Sequence, residues 1–338
     1  MRHVVCLPGD GIGAEVTAEA VRMLQALPLD LELDVHAFGG AAIDTHGDPL
    51  PAETLAACMS ADAVLLGAVG HPRFDRAEVR PEQGLIRLRR ELDVYANLRP
   101  ARQGDVDLLI VRELVGGLYY GARGTREDGT VFDTLEYTPA QIERVVRRAF
   151  ELARTRRRHV TSVDKANVLL TSRLWREVVD SVAAEFADVE RADQLVDSAA
   201  MRLVTHAHEF DVLVMENTFG DILSDVAAAV TGGLGVAASA SLGDGTAGIF
   251  EPVHGSAPDI AGRGIANPTA MLRSVALMLR HSLGEPALAD ALDAAVDDAM
   301  SSAPTPDLGG TASTSDLTDA VLDRVAAASK EESWKSLA

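Results

Sequence analysis

Two aspartates four residues apart, Asp221 and Asp225 in the segment GDILSD, are the first side chains whose spacing suggests chemistry. In a helix, residues four apart share a face, so both carboxylates could reach one ion. Carboxylate oxygens suit Mg²⁺ or Mn²⁺, and Asp197 is a third candidate ligand. The preceding Phe219-Gly220 pair predicts a turn that starts the helix near Asp221. Acidic residues at a helix start also complement the helix dipole without a metal, and this alternative stays open.

Three arginines could bind a substrate that carries two carboxylates. Arg89 lies in a predicted helix over residues 84–93, Arg99 precedes a proline and is expected to be extended, and Arg112 ends an apolar strand. Strand ends are where α/β proteins place ligands, and guanidinium groups pair with carboxylates in a bidentate manner. For Arg87 and Arg90 of the same helix, we expect only a solvated surface role.

Lys165 is unusual because this chain otherwise uses arginine. Of 31 basic residues three are lysines, and the other two lie in the polar C-terminal tail. Burial can lower the pKa of an amine, whereas a guanidinium stays charged, so Lys165 offers a titratable amine that the arginines cannot. The chance survival of one lysine explains the composition equally well.

The segment GDGIGA, which begins at Gly9, fits the dinucleotide fingerprint G-x-G-x-x-G/A between a strand and a helix. However, Pro8 precedes it, and the carboxylate of Asp10 would repel a pyrophosphate. The competing interpretation is a tight strand-to-helix turn beside a cleft, and the motifs further along the chain favour it.

Composition restricts the function classes. The 338 residues, 47% hydrophobic, are enough for about two domains. The formal charge of 31 − 51 = −20 argues against nucleic acid or an anionic membrane as a partner. No apolar run approaches the roughly 20 residues of a membrane span. The N-terminal run lacks a signal-peptide core, and the cysteines, Cys6 and Cys58, are far apart, so we expect a cytoplasmic protein.

Short apolar runs alternate with helical patterns, which predicts an α/β fold with mostly buried strands. Strands are predicted at Val4–Leu7, Ala63–Gly67, Leu108–Val111, Val160–Val163 and Val212–Met215. Helices are predicted at Ala14–Ala26, Pro139–Arg154, Leu272–Leu283, Pro286–Met300 and Leu317–Ala328. Residues 301–316, rich in Ser, Thr, Pro and Gly, are predicted to form a loop.

Several motifs together resemble the isocitrate/isopropylmalate dehydrogenase family, most strongly its isopropylmalate branch. They are ANLRP from Ala96, VREL from Val111, DKANVL from Asp164, FGDILSD from Phe219 and EPVHGSAPDIAG from Glu251. The resemblance implies a two-domain, non-Rossmann α/β fold with the active site in the interdomain cleft. Residues 1–95 plus 232–338 would form the first, NAD-binding domain. Residues 96–231 would form the second domain, with the dimer interface and the metal and substrate residues.

The resemblance also implies the ligands. A Mg²⁺ or Mn²⁺ ion would lie between the substrate and Asp221 and Asp225, with Asp197 supplied by the neighbouring subunit of a homodimer that shares its active sites. The malate moiety of a small-molecule substrate would be bound by Arg89, Arg99 and Arg112. Tyr119 matches the family's proton donor. Lys165, also from the partner, matches the catalytic lysine, and Asn167 matches a polar residue near the substrate and nicotinamide.

A further set of residues matches the family's NAD site. These residues are Glu251, His254, Gly255, Ser256, Ala257, Pro258, Asp259, Ile260 and Asn267. Asp259 lies where NAD-dependent members place an acid against the adenine ribose. A carboxylate accepts a hydrogen bond from a 2′-hydroxyl but repels a 2′-phosphate, which favours NAD over NADP.

The third substituent decides the substrate. Leu85, Ile86 and Val168 match the family's apolar pocket for an isopropyl group, so we expect oxidative decarboxylation of (2R,3S)-3-isopropylmalate. A third carboxylate would be unpaired there. Arg87 keeps a homoisocitrate-type substrate open, because a register shift of one residue would turn it toward the pocket. The segment 101–110 is shorter than in typical family members, which also keeps open a pathway paralogue that acts on another 3-substituted malate.

Two other classes compete with this enzyme. A catalytically silent regulatory subunit would be expected to lose a metal ligand, the lysine or the tyrosine, and all are present. A Rossmann binding module would need no metal.

Overall fold

The computed structural model describes residues 1–245 and 247–335. The chain divides into two compact units, Met1–Leu92 with Leu234–Ala338, and Asp93–Gly233. The strands are β1 (Arg2–Gly9), β2 (Leu31–Val35), β3 (Ala63–Ala68), β4 (Ala96–Gln103), β5 (Val106–Glu113), β6 (Arg123–Thr125), β7 (Val131–Asp133), β8 (His159–Asp164), β9 (Glu190–Leu195), β10 (Val212–Met215), β11 (Ala238–Leu242) and β12 (Gly248–Pro252). The helices are α1 (Gly13–Ala26), α2 (Gly39–His46), α3 (Ala52–Ser60), α4 (Pro81–Glu91), α5 (Pro139–Arg154), α6 (Leu170–Ala183), α7 (Val196–Thr205), α8 (Asn217–Val230), α9 (Thr269–His281), α10 (Pro286–Ser302) and α11 (Thr314–Lys335). Among the described residues, no helix has the length and apolar character that crossing a membrane requires.

The first unit contains five strands in the order β2-β1-β3-β12-β11. Their pairings are parallel except for the antiparallel β11–β12 pair. Every residue of β3 is buried, which fits a parallel strand covered on both faces. Helices α1 and α9 pack on the sheet and on each other, and α10 packs on α9. The α/β prediction is therefore confirmed in this unit.

The second unit contains the order β4-β5-β10-β8-β9, with β4 antiparallel to β5 and the remaining pairs parallel. Helices α7 and α8 pack against one another and against the sheet, as do α5 and α6. One apolar cluster joins Ile110 and Leu213 of the sheet to Leu203 of α7 and Leu223 of α8. Because this cluster buries one face of α8, it determines which face of the helix is turned away from the core.

The β4–β5 hairpin has a two-residue turn, Gly104-Asp105, and it explains why segment 101–110 is so short. Gly104 has a φ of +59°, a conformation that favours glycine. The register pairs Asn97 with Arg112 and Arg99 with Ile110. Directly opposite residues share a face of the sheet, and so do residues two apart along one strand. The side chains of Arg99 and Arg112 therefore project to the same face.

The start of α8 and the loop 301–316 are among the sequence predictions that are wrong in position. Helix α8 begins at Asn217 rather than near Asp221, because Glu216 caps it by accepting from the amides of Thr218 and Phe219. The predicted loop 301–316 is shorter, since α10 ends at Ser302 and α11 begins at Thr314. The predicted bounds of α5 and β10 are confirmed.

Candidate functional site

Arg112 is the most buried charged group of the site, with a side chain only 3% exposed. Its Nη1 donates to Asp221. Its Nε and Nη2 both donate to Asn217 Oδ1, at 2.9 and 2.7 Å. The stem of Arg112 crosses α8 at Gly220, where a Cβ atom would lie 2.5 Å from Arg112 Cγ. Gly220 is therefore required for close passage of the arginine and does not mark a turn before the helix.

Arg99 brings the two aspartates of α8 together. Its Nη1 lies 3.3 Å from Asp225 Oδ1, and its Nη2 lies 3.5 Å from Asp221 Oδ1. Nη1 also donates to Ser224 Oγ at 2.7 Å, and Nε donates to Asn97 Oδ1 at 2.9 Å. Burial raises the pKa of Asp225, against the opposing effect of Arg99. Because Asp225 lies two turns into α8, the helix dipole does not account for it.

Tyr119 completes this group on the short turn that follows β5. Its hydroxyl donates to Asp221 Oδ2 at 2.9 Å, and its ring centroid lies 5.8 Å from the guanidinium carbon of Arg112. Burial, followed by the charge of Asp221, raises the pKa of Tyr119 to about 12. The phenol therefore keeps its proton at neutral pH and can serve as a proton donor.

Lys165 and Asp197 form a separate pair in the same unit. Lys165 follows the last residue of β8, and its Nζ lies 2.5 Å from Asp197 Oδ1 near the start of α7. This ion pair lowers the pKa of Asp197. Nearby, Asn167 and Val168 are exposed. Within residues 1–245 and 247–335 of one chain, no three acidic, histidine or cysteine side chains are grouped for a metal.

In the first unit, Arg89 donates to Glu251 Oε1 at 2.7 Å, and both side chains are largely buried. Arg87, on the same helix, donates to both oxygens of Asp48 at 3.1 Å and to the carbonyl of Leu50. Its guanidinium is therefore committed to a contact within this unit.

Two apolar side chains of α4 lie on the same stretch of that helix. Leu85 is half-buried and Ile86 is exposed, whereas Leu88 points into the core. An exposed isoleucine beside a half-buried leucine leaves apolar surface available to a ligand.

The segment from His254 to Asp259 presents both polar and exposed groups. His254 Nδ1 lies 2.9 Å from the carbonyl of Gly255, whereas its Nε2 is buried with no hydrogen-bond partner among the described residues. Burial lowers the pKa of His254, which favours the neutral ring. Pro258 and Asp259 are exposed. A buried polar atom without a partner is uncommon and fits a site that a polar ligand completes.

The side-chain amide of Asn267, which follows this segment in the chain, is held by hydrogen bonds at both its nitrogen and its oxygen. Its Nδ2 donates to Asp307 Oδ2 at 3.0 Å, and its Oδ1 accepts from the amide of Thr269 at 3.0 Å. The side chain is thus fixed before any ligand binds.

Asp10 explains the first glycine motif. Its carboxylate accepts from the amides of Gly40, Ala41 and Gly70 at 2.9–3.1 Å. A Cβ atom at Gly9 would lie 1.9 Å from the carbonyl oxygen of Ala68. The loop is therefore a tight strand-to-helix turn whose acid binds neighbouring backbone, as the competing interpretation expected.

A buried network behind Arg112 was not found from the sequence. Glu113 is fully buried and accepts from Tyr137 Oη at 2.9 Å and from the amides of Val115 and Gly116. Tyr137 Oη also accepts from the amide of Asn217 at 3.0 Å. Burial raises the pKa of Glu113 to about 7. No sequence spacing links these residues, because Glu113 ends β5, Tyr137 precedes α5 and Asn217 begins α8, and only the folded unit brings them together.

Comparisons with known proteins agree with the motifs. A model of the isocitrate/isopropylmalate dehydrogenase family matches residues 3–321. Among solved structures, an isocitrate dehydrogenase from Methylococcus capsulatus has a TM-score of 0.89 and 38% identity, covering 96% of this chain and 99% of that chain. The chain belongs to the isocitrate/isopropylmalate dehydrogenase family, and the resemblance and fold class inferred from its sequence are confirmed.

Within this family, two similar relatives are both 3-isopropylmalate dehydrogenases. The protein from Anaeromyxobacter dehalogenans is 50% identical, covering 96% of this chain and 99% of its own length. The protein from Streptococcus mutans is 47% identical, covering 95% of this chain and 99% of its own length.

The buried carboxyl of Glu113 predicts a pH dependence of stability. The folded chain holds this proton more tightly than the unfolded chain, so the free energy of unfolding falls as pH rises from about 4.5 to about 7. The Glu113→Gln variant lacks this component, which is at most on the order of 3 kcal/mol. Urea unfolding at about pH 5 and about pH 8 should therefore show the variant gaining stability relative to wild type at the higher pH. An unchanged difference at the two pH values would contradict this expectation.

Proposed function

We propose that this protein oxidises and decarboxylates (2R,3S)-3-isopropylmalate to 2-oxo-4-methylpentanoate with NAD as hydride acceptor, a step of leucine biosynthesis. The observation that carries the proposal is the convergence of Arg99 and Arg112 with Asp221 and Asp225 on one face of α8. Cations suit the two carboxylates of the malate moiety, and the acids suit its metal. The names of the similar relatives support the same substrate.

The donor set fits Mg²⁺ or Mn²⁺. Asp221 and Asp225 offer carboxylate oxygens that remain partly exposed while Arg99 holds both side chains in place. A bound ion would lower the pKa of a coordinated substrate hydroxyl and stabilise negative charge on that oxygen. Asp197 of a second subunit would be the third carboxylate.

The charged side chains position the substrate. Arg112 is held by Asn217 and Asp221 before any ligand arrives, so its guanidinium loses little freedom on binding. Arg99 is similarly fixed by Asn97 and Ser224. Two fixed cations at a largely buried position attract a dicarboxylate and orient it.

Two side-chain atoms, Lys165 Nζ and Tyr119 Oη, would transfer protons in the reaction. Lys165 Nζ would accept the proton of the 2-hydroxyl while the hydride leaves for NAD. The 2-oxo acid that forms loses CO₂ from its β carboxylate. Tyr119 Oη, which donates to Asp221, would then protonate the carbon, and its raised pKa keeps the phenol protonated until that step.

The segment around His254 fits NAD. The buried Nε2 of His254 needs a polar partner, and the exposed carboxylate of Asp259 can accept from a ribose 2′-hydroxyl. The same carboxylate would repel a 2′-phosphate, so NADP is disfavoured.

The isopropyl substituent is favoured over a carboxylate by three apolar side chains, those of Leu85, Ile86 and Val168. A third carboxylate beside them would be unpaired, which is costly. Arg87, the basic residue that would suit a homoisocitrate-type substrate, is bound to Asp48 and to the carbonyl of Leu50.

A homodimer is supported by the exposed apolar residues Met201, Val204 and Ile222, which are 59–64% exposed. They lie on α7 and α8, the helices that carry the three aspartates. A second copy would bury this surface, and each subunit could contribute its Lys165 and Asp197 to the active site of the other.

We also propose a cytoplasmic location. Cys6 and Cys58 are free and buried, and burial raises the pKa of each thiol to about 12. Unreactive free thiols suit a reducing compartment.

The direct test is a panel of 3-substituted malates with NAD and Mg²⁺, followed by NADH absorbance. Turnover of 3-isopropylmalate should exceed that of homoisocitrate and isocitrate by at least about tenfold, because only the isopropyl group leaves no unpaired carboxylate. Preference for homoisocitrate would overturn the substrate assignment. Absence of metal-dependent turnover with every substrate would instead indicate a silent subunit.

Shared sites predict complementation between two inactive variants, Lys165→Ala and Asp221→Asn. If Lys165 serves the partner's site, a mixed dimer has one site with both wild-type residues. Random mixing should then restore about one quarter of the wild-type activity, since half of the dimers are mixed and half of their sites are intact. The variants should be refolded together and compared with each refolded alone. No recovery, with mixed dimers verified by mass spectrometry, would place Lys165 in its own chain's site.

A further inference from the structure

The glycine motif at the start of α1 contacts the segment that carries His254 and Asp259. The amide of Ile12 donates to the carbonyl oxygen of Ser256 at 2.8 Å. A Cβ atom at Gly11 would lie 2.0 Å from that same oxygen, so the approach requires glycine. The motif thus anchors the segment just before Ala257.

Glu15, in the first turn of α1, anchors the other end. Its Oε1 accepts from the amide of Gly262, and its Oε2 accepts from the amide of Gly264 at 3.0 Å. Both glycines have positive φ angles, +75° and +64°, which turn their amides toward the carboxylate. Hydrogen bonds to a charged acceptor are roughly twice as strong as neutral ones.

The residues between the two anchors hold an unusual conformation. Ala257 has a φ of +37°, a left-handed angle that is unfavourable for alanine and persists only when neighbouring contacts impose it. Pro258 and Asp259 follow and are exposed. The anchors therefore fix an exposed acid on a strained loop whose own sequence would not hold it there.

We propose that Glu15 is a positioning residue for coenzyme recognition: by binding the amides of Gly262 and Gly264, it fixes the loop that presents Asp259 to the ribose of NAD. Glu15 itself does not touch the coenzyme. This inference rests on the proposed function, because it takes the segment from His254 to Asp259 as the NAD site.

The test compares Glu15→Ala and Glu15→Gln with wild type and with Glu19→Gln as a matched control. Glu19 lies on the same helix but bonds Arg22 and Ser315 instead of the loop. Two quantities are measured: amide hydrogen exchange over residues 255–265 without coenzyme, and the Kd for NAD by calorimetry. Steady-state KM values for NAD and for 3-isopropylmalate accompany them.

We expect faster exchange in the loop and an NAD affinity lower by about tenfold in Glu15→Ala, as befits lost hydrogen bonds to a charged group. Glu15→Gln retains one acceptor and should lose less, while the KM for 3-isopropylmalate and the Glu19→Gln control should stay near wild type. Faster exchange with unchanged NAD affinity would overturn the proposal. Weaker binding with unchanged exchange would overturn it as well.

If the wild-type protein binds no NAD, the proposed function fails, and the exchange measurement still tests separately whether Glu15 fixes the loop. Unchanged exchange in Glu15→Ala would then overturn the positioning role on its own.

Discussion

The ion pairs between the β4–β5 hairpin and helix α8 are the interaction on which the rest of the site depends. Arg112 is almost fully buried, and a buried guanidinium must be paired because desolvating an unpaired charge is expensive. Asp221 and Asn217 provide that pairing, and Gly220 gives the arginine room to reach them. The geometry that could bind a metal and a dicarboxylate is therefore also required for this unit to fold with its charges satisfied.

In the first unit too, charged side chains have a structural role, because carboxylates bind the backbone amides of neighbouring loops. Asp10 binds three amides, and Glu15 binds two more on the loop that carries Asp259. The glycine motif that resembles a dinucleotide fingerprint, together with Glu15, thus holds the proposed coenzyme segment in place by hydrogen bonds. In both units, fixed local contacts orient the groups that would face ligands, which lowers the entropic cost of binding.

The sequence predicted the elements whose signals are local. Helix α5 has Thr138 as its cap, proline in its first turn and an apolar stripe, and its predicted bounds match the structure. The α8 start was misplaced because Gly220 suggested a turn, whereas its role depends on Arg112, over a hundred residues earlier. Strand β9 has mostly polar, partly exposed residues and gave no apolar signal. The buried contacts of Glu113, Tyr137 and Asn217 join distant parts of the chain and could not be inferred from spacing.

The most direct test of whether the arginines and aspartates of the second unit act together is Mn²⁺ binding. It is measured by electron paramagnetic resonance with and without 3-isopropylmalate. The account predicts that 3-isopropylmalate strengthens Mn²⁺ binding in the wild-type protein, because oxygens of the substrate would complete the coordination of the ion. It predicts that Asp225→Asn loses this coupling while the fold is retained, as judged by circular dichroism. Mn²⁺ binding that is indifferent to 3-isopropylmalate, or coupling that survives in Asp225→Asn, would contradict the account.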